Sequence, residues 1–219
     1  MRYLRVVLVL ALVLAASVAF GEVKWQQLPA PPTGRSMMSE FDTCGPVTAQ
    51  CADDFLCDDV DPIAAVEWWG VYLDGEPVPP DYFIIRFYDD VVGPPSHPGN
   101  LLYEAECWIY NEEWDEQYEQ YHYYHELVLP FDQTPGSIYW FSVQAVVCWP
   151  PTWAWCECDP IYYWNDEAVI VSEYYGIPEW APVSGGDPQL YLELAFVLHT
   201  MPGSPAEESS WGNIKALFK

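Results

Sequence analysis

Trp149, Trp153 and Trp155 fall close together, separated by Pro150, Pro151, Thr152 and Ala154. Indoles held out on a proline-stiffened loop make flat platforms for sugars. The C–H face of a pyranose packs on the ring while nearby carboxylates accept its hydroxyl hydrogens. These three are the expected ligand-binding residues, with a polysaccharide as partner. The competing reading is that the rings cover the end of a core, where abundant Trp usually goes. A second chemistry is suggested by carboxylates. Asp53 and Asp54 are followed by Asp58, Asp59 and Asp61, and Asn165, Asp166 and Glu167 form another oxygen-rich group. Clustered oxygens suit Ca²⁺, so Asp53, Asp54 and Asp166 are the expected ligands of a loop-stabilising calcium ion. Neither group has EF-hand spacing, and the alternative is carboxylates that accept loop N–H groups.

Catalytic signals are poor. The chain has four His, at 97, 122, 125 and 199. His122 and His125 are three apart, which on a strand puts them on opposite faces. No G-x-S-x-G elbow, H-E-x-x-H, P-loop or G-x-G-x-x-G occurs. A glycosidase needs only two placed carboxylates, and 33 acidic residues make any chosen pair arbitrary. The expectation is a protein that is not an enzyme.

Those acids stand against 7 Lys and Arg, a formal charge of −26. That sign excludes a nucleic-acid binder, whose affinity rests on basic side chains. A hydrophobic content of 51% excludes a disordered chain.

What must position the candidate residues is a set of strands. Leu190, Leu192, Leu194, Phe196 and Leu198 alternate with Tyr191, Glu193 and His199 over 189–199, the period of a half-buried strand. Residues 137–148 repeat the pattern with Tyr139, Phe141, Val143, Ala145 and Val147 on one face. Further strands are expected at 63–73, 82–88, 101–110 and 120–129, with a weaker one at 167–172. Residues 22–36 read as Pro-rich and irregular, and 111–120 is charged but lacks an apolar helical face. Strands between Gly, Pro, Asn and Asp clusters predict an all-β fold, an antiparallel sandwich of jelly-roll-like type. Arg86 falls opposite Phe83, Ile85 and Phe87, so a cross-strand ion pair with Glu67 or Glu104 is expected.

Residues 1–21 read as a secretory signal peptide. Arg2 and Arg5 precede an apolar run at 6–19, and small residues allow cleavage after Ala19 or Gly21. The mature chain carries no apolar run of the ~18 residues that span a bilayer. Its expected place is outside the cell or on its surface. There Cys44, Cys51, Cys57, Cys148, Cys156 and Cys158 are disulfide candidates and Cys107 stands alone between the groups. Two of the first three would pair with each other, and Cys148 with Cys156 or Cys158. The sandwich domain is expected over 22–200 and a Pro/Gly/Ser/Glu linker over 201–208. An amphipathic tail follows at 209–219, with Trp211, Ile214 and Leu217 on one face for recognition.

Several motifs resemble an uncharacterised family of secreted bacterial β-sandwich domains of unknown function. They are Trp25-Gln26-Gln27-Leu28-Pro29, Ala52-Asp53-Asp54-Phe55-Leu56-Cys57, Trp69-Gly70, Gly136-Ser137-Ile138-Tyr139-Trp140, Trp164-Asn165-Asp166-Glu167-Ala168-Val169 and Leu194-Ala195-Phe196-Val197. The extra cysteines after Cys57 and the tyrosine-rich strand depart from that pattern. The resemblance implies export and a sandwich fold, and supplies no activity. The tail is similar to a short C-terminal segment of other secreted bacterial proteins, which implies sorting or attachment. The expected function is an exported, non-catalytic binding module, glycan-associating with calcium-stabilised loops. The alternatives are a structural or adhesion protein that binds another protein and is attached by its tail, and a hydrolase with unidentified carboxylates.

Overall fold

The computed structural model describes residues 21–31 and 34–201. Almost all of the expected signal peptide and linker, and the whole tail with Trp211, Ile214 and Leu217, lie outside the described residues. Among those described there are fourteen strands, one 3₁₀ turn and no α-helix. No described helix is long and apolar enough to cross a membrane.

The strands are β1 (Val23–Gln27), β2 (Ser36–Met38), β3 (Glu40–Asp42), β4 (Gln50–Leu56), β5 (Ile63–Tyr72), β6 (Tyr82–Val91) and β7 (His97–Cys107). They continue with β8 (Asn111–Asp115), β9 (Gln120–Phe131), β10 (Ile138–Val147), β11 (Trp153–Cys156), β12 (Val169–Ser172), β13 (Ile177–Pro182) and β14 (Phe196–Thr200). Two sheets pack face to face as a sandwich. In the first, β5 is central. It pairs with β9 on one edge, while β14 and β11 share the other edge end to end. β8, β1 and β2 extend that sheet outward. In the second, β10 is central, with β6 and then β7 on one edge and β4 and β3 sharing the other. β12 and β13 continue from β4. The ladder between β3 and β10 is parallel and the others are antiparallel.

The core between the sheets is aromatic. Trp68 stacks on Tyr123 at 5.5 Å, and Phe83, Phe87, Phe141, Trp153, Trp155 and Phe196 fill the space around them. This arrangement absorbs much of the Trp and Phe content.

Four expectations change. The alternation at 137–148 and 189–199 predicts half-buried strands, yet β10 and β14 are covered on both faces. Trp140 on the outer side of β10 is roofed by Tyr88, Val169 and Trp180. Outer-side Val197 lies in a second apolar cluster with Trp69, Cys156 and Cys158. The regular part of the last strand begins only at Phe196, because the Leu194 N–H leaves the ladder to bond the carboxylate of Asp53. The 22–36 stretch contains β1, which pairs with β14. Residues 111–120 form β8 and a turn into β9, closed by Asp115 Oδ1, which accepts from the N–H groups of Gln117 and Tyr118.

Candidate functional site

The three tryptophans expected to form one platform have separate fates. Trp153 and Trp155 are wholly buried in β11, and Trp149 is 53% exposed. The Trp153 indole N–H donates to the Tyr123 hydroxyl at 3.2 Å, and that of Trp155 to the Ala195 carbonyl at 2.8 Å. As residues i and i+2 of a strand, they face the same way, into the sandwich. They are core, and the platform reading is corrected for both.

The disulfide is corrected as well. Cys44 is bonded to Cys148, and Cys51, Cys57, Cys107, Cys156 and Cys158 are free and buried. The extended β11 carries Cys156 away from Cys148 and under Trp69, which removes the pairing expected there. The observed bond ties the loop after β3 to the turn after β10. Asp42 reinforces it: Oδ1 accepts from the N–H of Cys44 at 2.9 Å and of Trp149 at 3.1 Å.

Beside that bond lies a cleft of about 520 Å³. One wall is Trp149. Another is Tyr174 and Tyr175, each about half exposed, in the turn between β12 and β13. The turn is shaped by Gly176 at φ 72° and by Ser172, whose hydroxyl accepts from the Tyr175 N–H. The tyrosine rings meet edge to face at 4.9 Å, and the Tyr175 hydroxyl reaches the sulfur of Met38. Acidic side chains complete the lining. Asp74 is exposed, Asp42 is nearly buried and Glu40 is wholly buried. Glu40 Oε2 accepts from the Trp153 N–H at 2.7 Å, while Oε1 finds no donor among the described residues. Burial first, and then the like charges of Asp42 and Asp74, push the Glu40 carboxyl up to about 7 against the Trp153 hydrogen bond.

A second cleft, of about 540 Å³, opens on the outer face of the first sheet. Its centre is Glu67 on β5, which accepts from His122 Nε2 at 2.5 Å and from His199 Nε2 on β14. Burial would raise this carboxyl, yet the two imidazoles hold it down at about 2. The Trp69 ring stacks on His122 at 4.6 Å. Two histidines far apart in sequence thus share one carboxylate. The strand pattern could place each on an outer face, but the register that joins them is absent from any local signal. Arg86, expected to pair with Glu67 or Glu104, takes Glu104 at 2.6 Å.

The expected calcium ligands sit elsewhere. Asp53 and Asp54 lie within β4, so they point to opposite faces. Asp53 Oδ2 accepts from the Leu194 N–H at 2.6 Å and Oδ1 from the Asp54 N–H at 3.0 Å. Asp54 Oδ2 accepts from the Asn165 amide at 2.5 Å, and Asp166 Oδ2 accepts from the Ser96 hydroxyl. Glu193 joins them, accepting from the Gln27 amide at 2.7 Å and the Trp164 N–H at 2.6 Å. Burial, compounded by neighbouring carboxylates, raises Asp54 to about 8 and lifts Asp53 as well; burial likewise raises Glu193. No three His, Cys, Asp or Glu side chains converge to hold a metal ion among the described residues. Asp53, Asp54 and Asp166 act as acceptors that fasten segments together. The Trp25, Asp53, Trp164 and Leu194 motifs all meet at this node, with Trp25 edge-on to Trp164 at 5.2 Å.

A family model described as Domain of unknown function (DUF7901) matches residues 23–199, from the first residue of β1 into β14. No curated protein and no solved structure matches the chain.

Proposed function

The chain belongs to the family of that domain of unknown function, and we propose that within it this protein is an exported, non-catalytic module that holds a glycan in the cleft beside Cys44–Cys148. The observation that carries this reading is three exposed rings, Trp149, Tyr174 and Tyr175, on one acid-lined cleft. Ring faces offer the apolar side of a pyranose a surface, and the Asp74 carboxylate offers its hydroxyls an acceptor. The disulfide and the Asp42 hydrogen bonds hold the Trp149 wall before any ligand arrives, which reduces the entropy lost on binding. Hydrolysis asks for two carboxyl groups that face the scissile bond. Here the acid with the raised pKa, Glu40, is sealed from solvent and Asp42 is nearly so, which favours retention of the glycan over its cleavage.

The test is retention of the protein on cellulose, chitin, xylan and starch, beside Trp149→Ala and a Tyr174→Ala/Tyr175→Ala variant. Retention on at least one matrix, lost in both variants at unchanged melting temperature, is the expected result. Equal retention of wild type and Trp149→Ala, or none on any matrix, would remove the cleft as a glycan site. The adhesion reading would then lead.

A further inference from the structure

Resting on that reading, the charge of the cleft narrows the class of sugar. Its lining holds Glu40, Asp42 and Asp74, with no Lys, Arg or His among the described lining residues. The whole chain offers only 7 Lys and Arg. An anionic polysaccharide would be repelled here, because no cation among the described residues faces it. A neutral sugar would satisfy ring faces and one carboxylate and leave the remaining negative charge uncompensated. A sugar with a free amine brings the complementary charge, and its ammonium suits both components of the wall. The exposed Asp74 carboxylate accepts from its N–H donors, the buried carboxylates behind add to the attracting field, and aromatic faces attract cations through the ring quadrupole.

The hydrogen bonding of one of these acids points to a cation as well. Glu40 is wholly buried where it lines the cleft, and its Oε1 has no donor among the described residues. A carboxylate oxygen left alone in a dry, negative surrounding is costly, and a positive charge brought close to it relieves that cost. Burial and the neighbouring Asp42 and Asp74 are what hold this carboxyl at about 7. An ammonium in the cleft offsets both like charges at once.

We infer that the Trp149–Tyr174–Tyr175 cleft selects glycans bearing free ammonium groups, of glucosamine type, over N-acetylated, neutral and uronic-acid glycans.

The experiment is calorimetric titration of the full chain at 0.3 M NaCl with four soluble trimers: β-1,4-linked glucosamine, N-acetylglucosamine and glucose, and α-1,4-linked galacturonic acid. That salt screens the diffuse field of a strongly acidic protein, since exposed charges more than roughly 6 Å apart are largely shielded. The glucosamine trimer is expected to bind about tenfold more tightly than the acetylated and neutral trimers, and the galacturonate trimer not at all. Asp74→Asn and Glu40→Gln are each expected to erase most of that preference. Glu116→Gln, the same loss of charge in the exposed turn before β9, should leave it intact. Equal binding of the glucosamine and glucose trimers would overturn this inference while the glycan reading stood. A preference lost as much in Glu116→Gln as in Asp74→Asn would assign it to bulk charge and overturn it too. Failure of every trimer to bind, or binding untouched by Trp149→Ala, would bring down both readings.

Discussion

Gly70 in β5 lies directly under the indole of Trp153 in β11: a Cβ on Gly70 would overlap Trp153 Cζ2. Adjacent Trp69 and Trp68 are both buried, so the strand at this point has a large ring on each side and a hole where the third ring lies. The glycine is there for space, since no side chain fits between the backbone and the indole. Gly70→Ala is therefore expected to destabilise the fold by about 1–3 kcal/mol through overpacking. Trp153→Ala should cost about 3–5 kcal/mol through the cavity it leaves and the Tyr123 hydroxyl it strips of a partner. Exposed Trp149→Ala should stay within about 0.5 kcal/mol. Urea unfolding of the three variants orders them, and a Trp153→Ala variant as stable as Trp149→Ala would contradict the core assignment.

That pair also shows what local sequence conveys and what it does not. Alternation over β6 and β10 is readable because Phe83, Ile85 and Phe87, and Tyr139, Phe141, Val143, Ala145 and Val147, repeat an inward apolar position every second residue. β2, β3 and β11 are three or four residues long, too short for a period to show. The motif Trp149-Pro150-Pro151-Thr152-Trp153 looks like one exposed loop, and only the distant Gly70 decides that its last ring turns inward. Tyr174 and Tyr175 carry no local signal, because their partner in the cleft, Trp149, is brought near by the packing of β12 against β4. The same holds for the disulfide. Cys44 and Cys148 are 104 residues apart and meet because β3 runs parallel to the end of β10.

That bond closes a long loop, and reducing it should lower stability by ~5 kcal/mol, the chain-entropy value for a loop of about 100 residues. Thiol titration of the unfolded, unreduced protein should count five free cysteines. A count of one or three would mean that more bonds form than this fold brings together. A Cys44→Ser/Cys148→Ser double variant should also lose glycan retention beyond its loss of stability, since Trp149 is then held only through Asp42.

Stability should fall from pH 5 to pH 8. Burial and like charges raise Asp53 and Asp54, the latter to about 8, and Glu40 to about 7, and burial raises Glu193. A carboxyl whose folded pKa lies above its unfolded value binds more protons in the native state through that interval. Its contribution is fully present below about pH 4 and is lost as pH rises through 7 to 8. A loss of ~2 kcal/mol across this window corresponds to a melting temperature about 4–8 °C lower at pH 8 than at pH 5. Calorimetry at the two pH values checks the sign. A higher melting temperature at pH 8 would mean that these carboxyls are ionised in the fold and stabilised by something other than the donors described. Asp54→Asn, which keeps an acceptor for Asn165 without the charge, should flatten the slope.

The opposite sign belongs to Glu67. Its carboxyl is held at about 2 by His122 and His199, against the burial that would raise it. A lowered carboxyl stabilises the fold above its unfolded value, near 4.5, and that contribution is lost as pH falls toward 2. Glu67→Gln keeps the shape of the side chain and removes the charge that both imidazoles share. At pH 7 it should lose about 2 kcal/mol, in the range of a hydrogen bond to an ionised group. The difference from wild type should shrink steadily below pH 4.5, because the unfolded wild-type chain then takes up a proton at Glu67 that the folded carboxylate does not. A gap that stays constant from pH 5 to pH 2 would mean the variant fails through packing against Trp69 and not through the shared charge. His122→Gln and His199→Gln separate the two partners. Each should lower stability at pH 7, and each should also lower the effect of Glu67→Gln made on top of it, because removing one donor weakens what the carboxylate can still hold.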